Sequence, residues 1–170
     1  MGVEKLICKL RKKVDKSDAD AGQSRLQLTH ILAKNFLDSG ELTADELTSI
    51  HAAADHRDGG LLLDGYDRDG NRYEGIHGRR GNGVYRIKGF GRFVRCKGLQ
   101  VGHTVVAWVF RLPEKEAARY AVMMLNYGTS DEEEMVESEE DAMRDLGGMR
   151  GLLKLADDDG GGDGQVKLEK

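Results

Sequence analysis

Thr104-Val105-Val106-Ala107-Trp108-Val109-Phe110 is the stretch on which the fold turns. It is rich in β-branched and aromatic residues and almost uninterrupted in apolar character. Side chains alternate faces along a strand, so an apolar run without alternation reads as a strand buried on both faces, hence a central one. Downstream, Pro113, the only proline, ends that strand. Tyr120 to Leu125 fits either helix or strand. Upstream, Val84 to Lys88 reads as a strand, and Gly78-Arg79-Arg80-Gly81-Asn82-Gly83 as a Gly-rich, basic turn. Leu61-Leu62-Leu63 leads into Tyr66 to Tyr73, where Asp69-Gly70 or Gly70-Asn71 supplies the positive φ of a tight hairpin. Leu6 to Leu10 reads as a short strand. Arg25-Leu26-Gln27-Leu28 alternates polar and apolar as a half-buried strand does. Ile31, Leu32 and Phe36 have the spacing of a short amphipathic helix. Thr43 and Glu46 form a capping box ahead of Leu47 and Ile50.

The whole chain has 170 residues, 39% of them apolar and 6% aromatic. That suits one domain with an extension that does not pack. The composition shifts near Tyr127, which divides the chain into a folded domain, 1–127, and an acidic, Gly-rich tail, 128–170, that reads as disordered. Within the tail, Met143, Leu146, Met149, Leu152 and Leu153 share one helical face, weakened by Gly147, Gly148 and Gly151. Charge divides at the same place. The tail carries fourteen acids against five Lys or Arg, net −9; residues 1–127 carry sixteen against twenty-one, net +5. Between Gly75 and Pro113 there is no Asp or Glu, while Arg79, Arg80, Arg86, Lys88, Arg92, Arg95, Lys97 and Arg111 fall there. Such asymmetry points to a polyanionic partner. No stretch approaches the roughly 20 apolar residues that span a bilayer. The N-terminus reads as neither a secretory signal nor a myristoylation site, since Leu6 stands where Ser or Thr is needed. Two cysteines, Cys8 and Cys96, suit a reducing compartment.

Catalytic and metal chemistry find little support. The five histidines make no His-Glu-x-x-His pattern and the cysteines no Cys-x-x-Cys pair. Ser17 and Ser24 lack a nucleophile-elbow context. A calcium loop centred on Gly70 would need oxygen ligands at Gly65 and Ile76, which have none to offer. Cys96, between Arg95 and Lys97, reads as a buried cysteine at a strand end rather than a reactive thiol. Lys88-Gly89-Phe90-Gly91-Arg92-Phe93-Val94 approximates an RNA-recognition signature, but the extra Arg92 would throw the following aromatic onto the opposite face. The expectation is no enzyme, no catalytic residue, no metal and no cofactor.

Four blocks in order carry a family resemblance. They are Lys12-Lys13-Val14-Asp15-Lys16-Ser17-Asp18 with Gln23-Ser24-Arg25-Leu26-Gln27-Leu28, then Tyr66-Asp67-Arg68-Asp69-Gly70-Asn71-Arg72-Tyr73, then Val84 to Val94, then Leu99-Gln100-Val101-Gly102-His103-Thr104-Val105-Val106. Together they resemble the plant-specific B-three DNA-binding domain, the module of auxin response factors and related plant regulators. Three positions depart from the family pattern: Thr29 replaces a proline, Phe90 a tryptophan and His103 an aspartate.

The resemblance implies a seven-stranded open β-barrel, or pseudobarrel, with two short helices. It also implies double-stranded DNA as the partner, gripped in the major groove by two arms, about Lys13 to Ser24 and about Gly78 to Arg86. The residues expected at DNA are Lys16, Ser17, Gln23, Ser24, Arg25, Arg79, Arg80, Asn82, Tyr85 and Arg86. Basic side chains among them suit phosphates or guanine edges, and Gln23 and Asn82 suit adenine. The function expected is sequence-selective transcription regulation in the nucleus of a plant. The acidic tail would contact protein partners, compete for the arms or stay solvated. No membrane and no small-molecule substrate is expected. The competing expectation is a barrel that has lost DNA binding and serves as a protein-interaction module, favoured by Thr29, His103 and the acids Asp18 and Asp20 in the first arm.

Overall fold

In the computed structural model, which describes residues 5–52, 59–81, 84–112 and 119–129, the elements run β1 (Lys5–Lys13), β2 (Arg25–Leu28), α1 (His30–Leu37), α2 (Ala44–Ala52), β3 (Leu61–Asp67), β4 (Arg72–Gly81), β5 (Val84–Lys88), α3 (Gly91–Cys96), β6 (Thr104–Arg111) and β7 (Tyr120–Asn126). The strands form one sheet in the order β1-β6-β7-β3-β4-β5-β2, curled into an open barrel. All neighbours are antiparallel except β3 and β7. This is the mainly β pseudobarrel that the B-three resemblance implies. β6 lies between β1 and β7 and is buried on both faces, as its unbroken apolar run requires.

Period-two alternation builds the interior. Leu26 and Leu28 of β2, Ile76 of β4, Ile87 of β5, Val105, Ala107 and Val109 of β6 and Val122 and Met124 of β7 all face one core. Gly65 sits where β3 slips register against β4; a Cβ there would lie 2.7 Å from Ile76. One end of the barrel is filled by the aromatics Phe90, Phe93 and Tyr73, with ring centroids 5.1 and 5.7 Å apart. Near them buried Asp67 accepts hydrogen bonds from Tyr73 Oη (2.8 Å), Asn71 Nδ2 (2.9 Å) and Lys97 Nζ (2.9 Å). Burial pushes its carboxyl up, but Lys97, Asn71 and Tyr73 outweigh that and hold it at about 2. The capping box is present: Thr43 N–H donates to Glu46 Oε2, and Glu46 N–H to Thr43 Oγ1.

The sheet does not close between its edge strands, β1 and β2. Helix α1 packs on both. Asp18, fully buried, joins them from below: it accepts from Lys12 Nζ of β1 and from the Gln27 backbone N–H of β2 (2.8 Å).

The structure differs from the sequence reading in three places. Gly78 to Gly81 are not a turn but the last residues of β4. Among the described residues there are three helices rather than two: the Gly-Phe-Gly segment follows β5 and enters α3. Cys96 is exposed at the end of that helix, and the buried thiol is Cys8, whose burial raises it to about 12. The tail expected from 128 onward lies almost wholly outside the described residues, as does Asn82.

Candidate nucleic-acid interface

The same alternation that sends Leu26, Leu28, Tyr85 and Ile87 inward turns Arg25, Gln27, Arg86 and Lys88 outward. Register then aligns them across three strands. Arg25 of β2 is opposite Lys88 of β5, which is opposite His77 of β4. One step along, Gln27 is opposite Arg86, which is opposite Arg79. Two rows of polar side chains, four of them cations, thus cover the outer face of β2-β5-β4.

Like charges crowd this face. Lys88 is held below the usual lysine range by burial and then by Arg25, Arg79 and Arg86. Arg86 is lowered by burial and then by Arg25 and Arg79. Among the described residues no ion pair involves Arg25, Arg86 or Lys88, and Arg25 Nε, Arg86 Nε and His77 Nδ1 are buried with no hydrogen-bond partner. Gly81 makes room for this: its Cβ would stand 3.0 Å from an Arg86 guanidinium nitrogen. Forked guanidinium donors crowded by like charge are suited to meet an anion.

The first expected arm lies at one end of this face, while the second, Gly78 to Arg86, supplies part of the face itself through β4 and β5. The loop from Val14 to Ser24 meets the Lys88 end, where Lys88 Nζ donates to the Gln23 carbonyl (3.3 Å). The Gly81–Val84 pair is at the other end. Four residue steps of β5 separate the ends, about 13 Å. The first loop is organised by its own acids. Asp15 accepts from the Ser17 N–H, Ser17 Oγ and the Asp18 N–H, which together with Lys12 hold its carboxyl well below the usual range against the opposing effect of burial. Ser24, the one non-glycine with positive φ among the described residues (46°), accepts the Gly91 N–H on Oγ (2.9 Å) and the Gly89 N–H on its carbonyl (3.0 Å). Only glycine fits at either partner: a Cβ at Gly89 would lie 2.3 Å from the Gly75 carbonyl, and one at Gly91 2.4 Å from the Ala21 carbonyl.

Of the residues expected at DNA, the structure brings Arg25, Arg79 and Arg86 together on one face. Lys16 and Gln23 are exposed on the first loop, Gln23 Nε2 donating to Asp20. Arg80 is exposed on the opposite side of β4, its guanidinium 5.6 Å from the Tyr85 ring. Ser17 Oγ donates to Asp15 within the loop, and Ser24 Oγ accepts the Gly91 N–H of α3. Tyr85 is 8% exposed and its hydroxyl meets His51 Nε2 at 3.0 Å. The reading missed Gln27, His77 and Lys88, whose membership depends on cross-strand register; the alternation in Arg25–Leu28 and Val84–Lys88 was the available signal. The three departures from the family pattern have internal roles. Thr29 caps α1, accepting the Leu32 N–H; His103 Nδ1 accepts the Gln100 N–H; Phe90 is fully buried among the end aromatics. Asp18 is likewise structural. Among the described residues no three His, Cys, Asp or Glu side chains converge as a metal site requires.

No family model matches the sequence, and no curated protein matches it. Among solved structures it is similar to an Arabidopsis FUS3–DNA complex, at 18% identity and TM-score 0.40, over 71% of this chain and 96% of that one. It is also similar to the Arabidopsis thaliana transcription factor LEC2–DNA complex, at 17% identity and TM-score 0.42, over 74% of this chain and 96% of that one.

Proposed function

We propose that the protein binds double-stranded DNA with sequence selectivity through the outer face of β2-β5-β4 and the segments at its two ends, and regulates transcription in the nucleus. The observation that carries this reading is the aligned cation cluster, Arg25, Arg79, Arg86 and Lys88, in which Arg86 and Lys88 are each opposed by neighbouring cations. Such a face is unfavourable in the free protein and is relieved by a polyanion. The span of about 13 Å along β5 is comparable to a major groove about 12 Å wide. Arg79 and Arg86 can fork onto phosphates or guanine O6/N7, and Gln27 beside Arg86 has the donor and acceptor that adenine N6/N7 requires. Lys16 and Gln23 extend the surface at one end. The protein acts by binding, without catalysis, metal or cofactor.

The test is a titration of the full chain with duplexes selected from a random library, at several salt concentrations. Arg79→Ala/Arg86→Ala is expected to weaken binding at least about tenfold. The slope of log affinity against log salt should flatten by about 0.9 for each phosphate that the variant no longer neutralises. A parent chain that selects no duplex at low salt, or a double variant with unchanged affinity and slope, would sink the proposal.

A further inference from the structure

Cationic surface continues past the end of β5. Lys88 is followed by Gly89, whose φ of 84° turns the chain, and by Phe90, which leads into α3. The residues of this short helix divide by burial. Gly91, Phe93 and Val94 are buried, and Phe93 and Val94 belong to the barrel core. Arg92, Arg95 and Cys96 are exposed. Arg92 and Arg95 are three positions apart, so their side chains are neighbours on one side of the helix.

The acids around this corner are engaged elsewhere. Asp67 and Asp69 both pair with Lys97. Asp20 accepts from Gln23 Nε2 and from the Gly22 N–H. Among the described residues, no ion pair or hydrogen bond involves the side chain of Arg92 or Arg95. Arg92 does have a ring contact, its guanidinium lying 5.7 Å from the centroid of Tyr73. A guanidinium meets a ring through its flat face, which leaves its N–H donors for another acceptor.

α3 is fastened to the end of the cationic face. The Gly91 N–H donates to Ser24 Oγ and the Gly89 N–H to the Ser24 carbonyl, and Arg25 of that face is the next residue. Ala21 of the first loop packs against Gly91, where a Cβ would lie 2.4 Å from its carbonyl. Lys88, the last cation of the face, precedes Arg92 by four residues, at most about 14 Å of extended chain. A double helix carries one phosphate charge per roughly 1.7 Å of its axis. One that meets Arg25 and Lys88 therefore brings further phosphates past α3.

We propose that Arg92 and Arg95 make a second, sequence-independent contact with DNA, neutralising backbone phosphates on one flank of the site that β2-β5-β4 reads. This rests on the DNA-binding reading above and divides the labour within it. The sheet face discriminates base edges, and the helix adds affinity without discrimination. Because α3 abuts one end of the face, the added contact is one-sided.

The experiment measures affinity against salt for the full chain on a selected duplex. It compares the parent, Arg92→Gln/Arg95→Gln and Arg92→Lys/Arg95→Lys. The glutamine pair should flatten the slope of log affinity against log salt by about 1.8, at about 0.9 for each phosphate. It should weaken binding to all duplexes alike and leave the selected motif unchanged. The lysine pair should restore the slope, which packing of Arg92 on Tyr73 would not do. Trimming the duplex outside the motif should erase the difference between parent and glutamine pair at one end only. A glutamine pair with the parent's slope, a changed motif, or a lysine pair no better than the glutamine pair overturns this inference and leaves binding by the sheet face standing. A parent that binds no duplex overturns both. Should the glutamine pair not fold, the parent decides. Cys96 is exposed beside Arg95 while Cys8 is buried, so an iron–EDTA maleimide attaches to α3. Strand cuts confined to one flank outside the motif support the contact; cuts that are absent or equal on both flanks remove it.

Discussion

The outer surface of this sheet has two contrasting parts. Across β2-β5-β4 the outward positions hold Arg25, Gln27, Arg79, Arg86 and Lys88; across β6-β7 they hold Val106, Trp108, Phe110, Met123 and Leu125. Both sets obey the same period-two geometry, and both back onto one continuous core. The inward half of each strand therefore specifies the barrel, and the outward half is free to differ. On one side it is charged and mutually repelling, on the other apolar and buried. A sheet can in this way carry two chemically different outer surfaces, with neither compromising the fold.

The contrast can be broken by substitution on either side. The largest effect is expected from Trp108→Ala. If the stripe is packed as tightly as its burial indicates, the loss is about 3–5 kcal/mol in urea unfolding. A Trp108→Ala loss within about 0.5 kcal/mol, the range of ordinary surface positions, would mean the two faces are equally open. Next comes the β3-β4 hairpin, held by Asp67. A carboxylate at about 2 when folded, against 3.8 ordinarily, contributes roughly 2 kcal/mol. Because its folded pKa is depressed, that contribution is complete above about pH 4 and lost as pH falls through about 2. Acid unfolding of the parent should show this dependence, and Asp67→Asn should be destabilised at neutral pH with a flatter acid limb. The smallest effect belongs to Arg86→Gln. Stability should change by less than about 0.5 kcal/mol, in the stabilising direction, because a like charge is removed. A clear destabilisation would show that Arg86 serves packing and would weaken its assignment to a partner.

The sequence made the barrel largely legible where alternation or an unbroken apolar run was clean. Arg25–Leu28, Val84–Lys88 and Thr104–Phe110 are strands where expected, and Thr43 with Glu46 starts α2. It failed at Gly78–Gly81, where two glycines and two arginines hide any alternation, and at α3, whose six residues are too few to show a helical period. The candidate site was legible as chemistry but not as geometry. Basic residues announced a cationic surface, yet which of them share a face depends on pairing between distant strands. Hence Lys88, His77 and Gln27 were missed, while Tyr85, whose hydroxyl is occupied by His51, looked available.

Ser24 gives the first loop a property that its length would not suggest. Its left-handed backbone and its two acceptors fasten the loop to Gly89 and Gly91, at positions where no other residue type fits. Ordering a backbone residue costs about 1–2 kcal/mol, and here that cost is met during folding. A molecule docking on this loop finds a shaped edge instead of a freely sampling chain, and little of the gain from docking is given up to immobilisation.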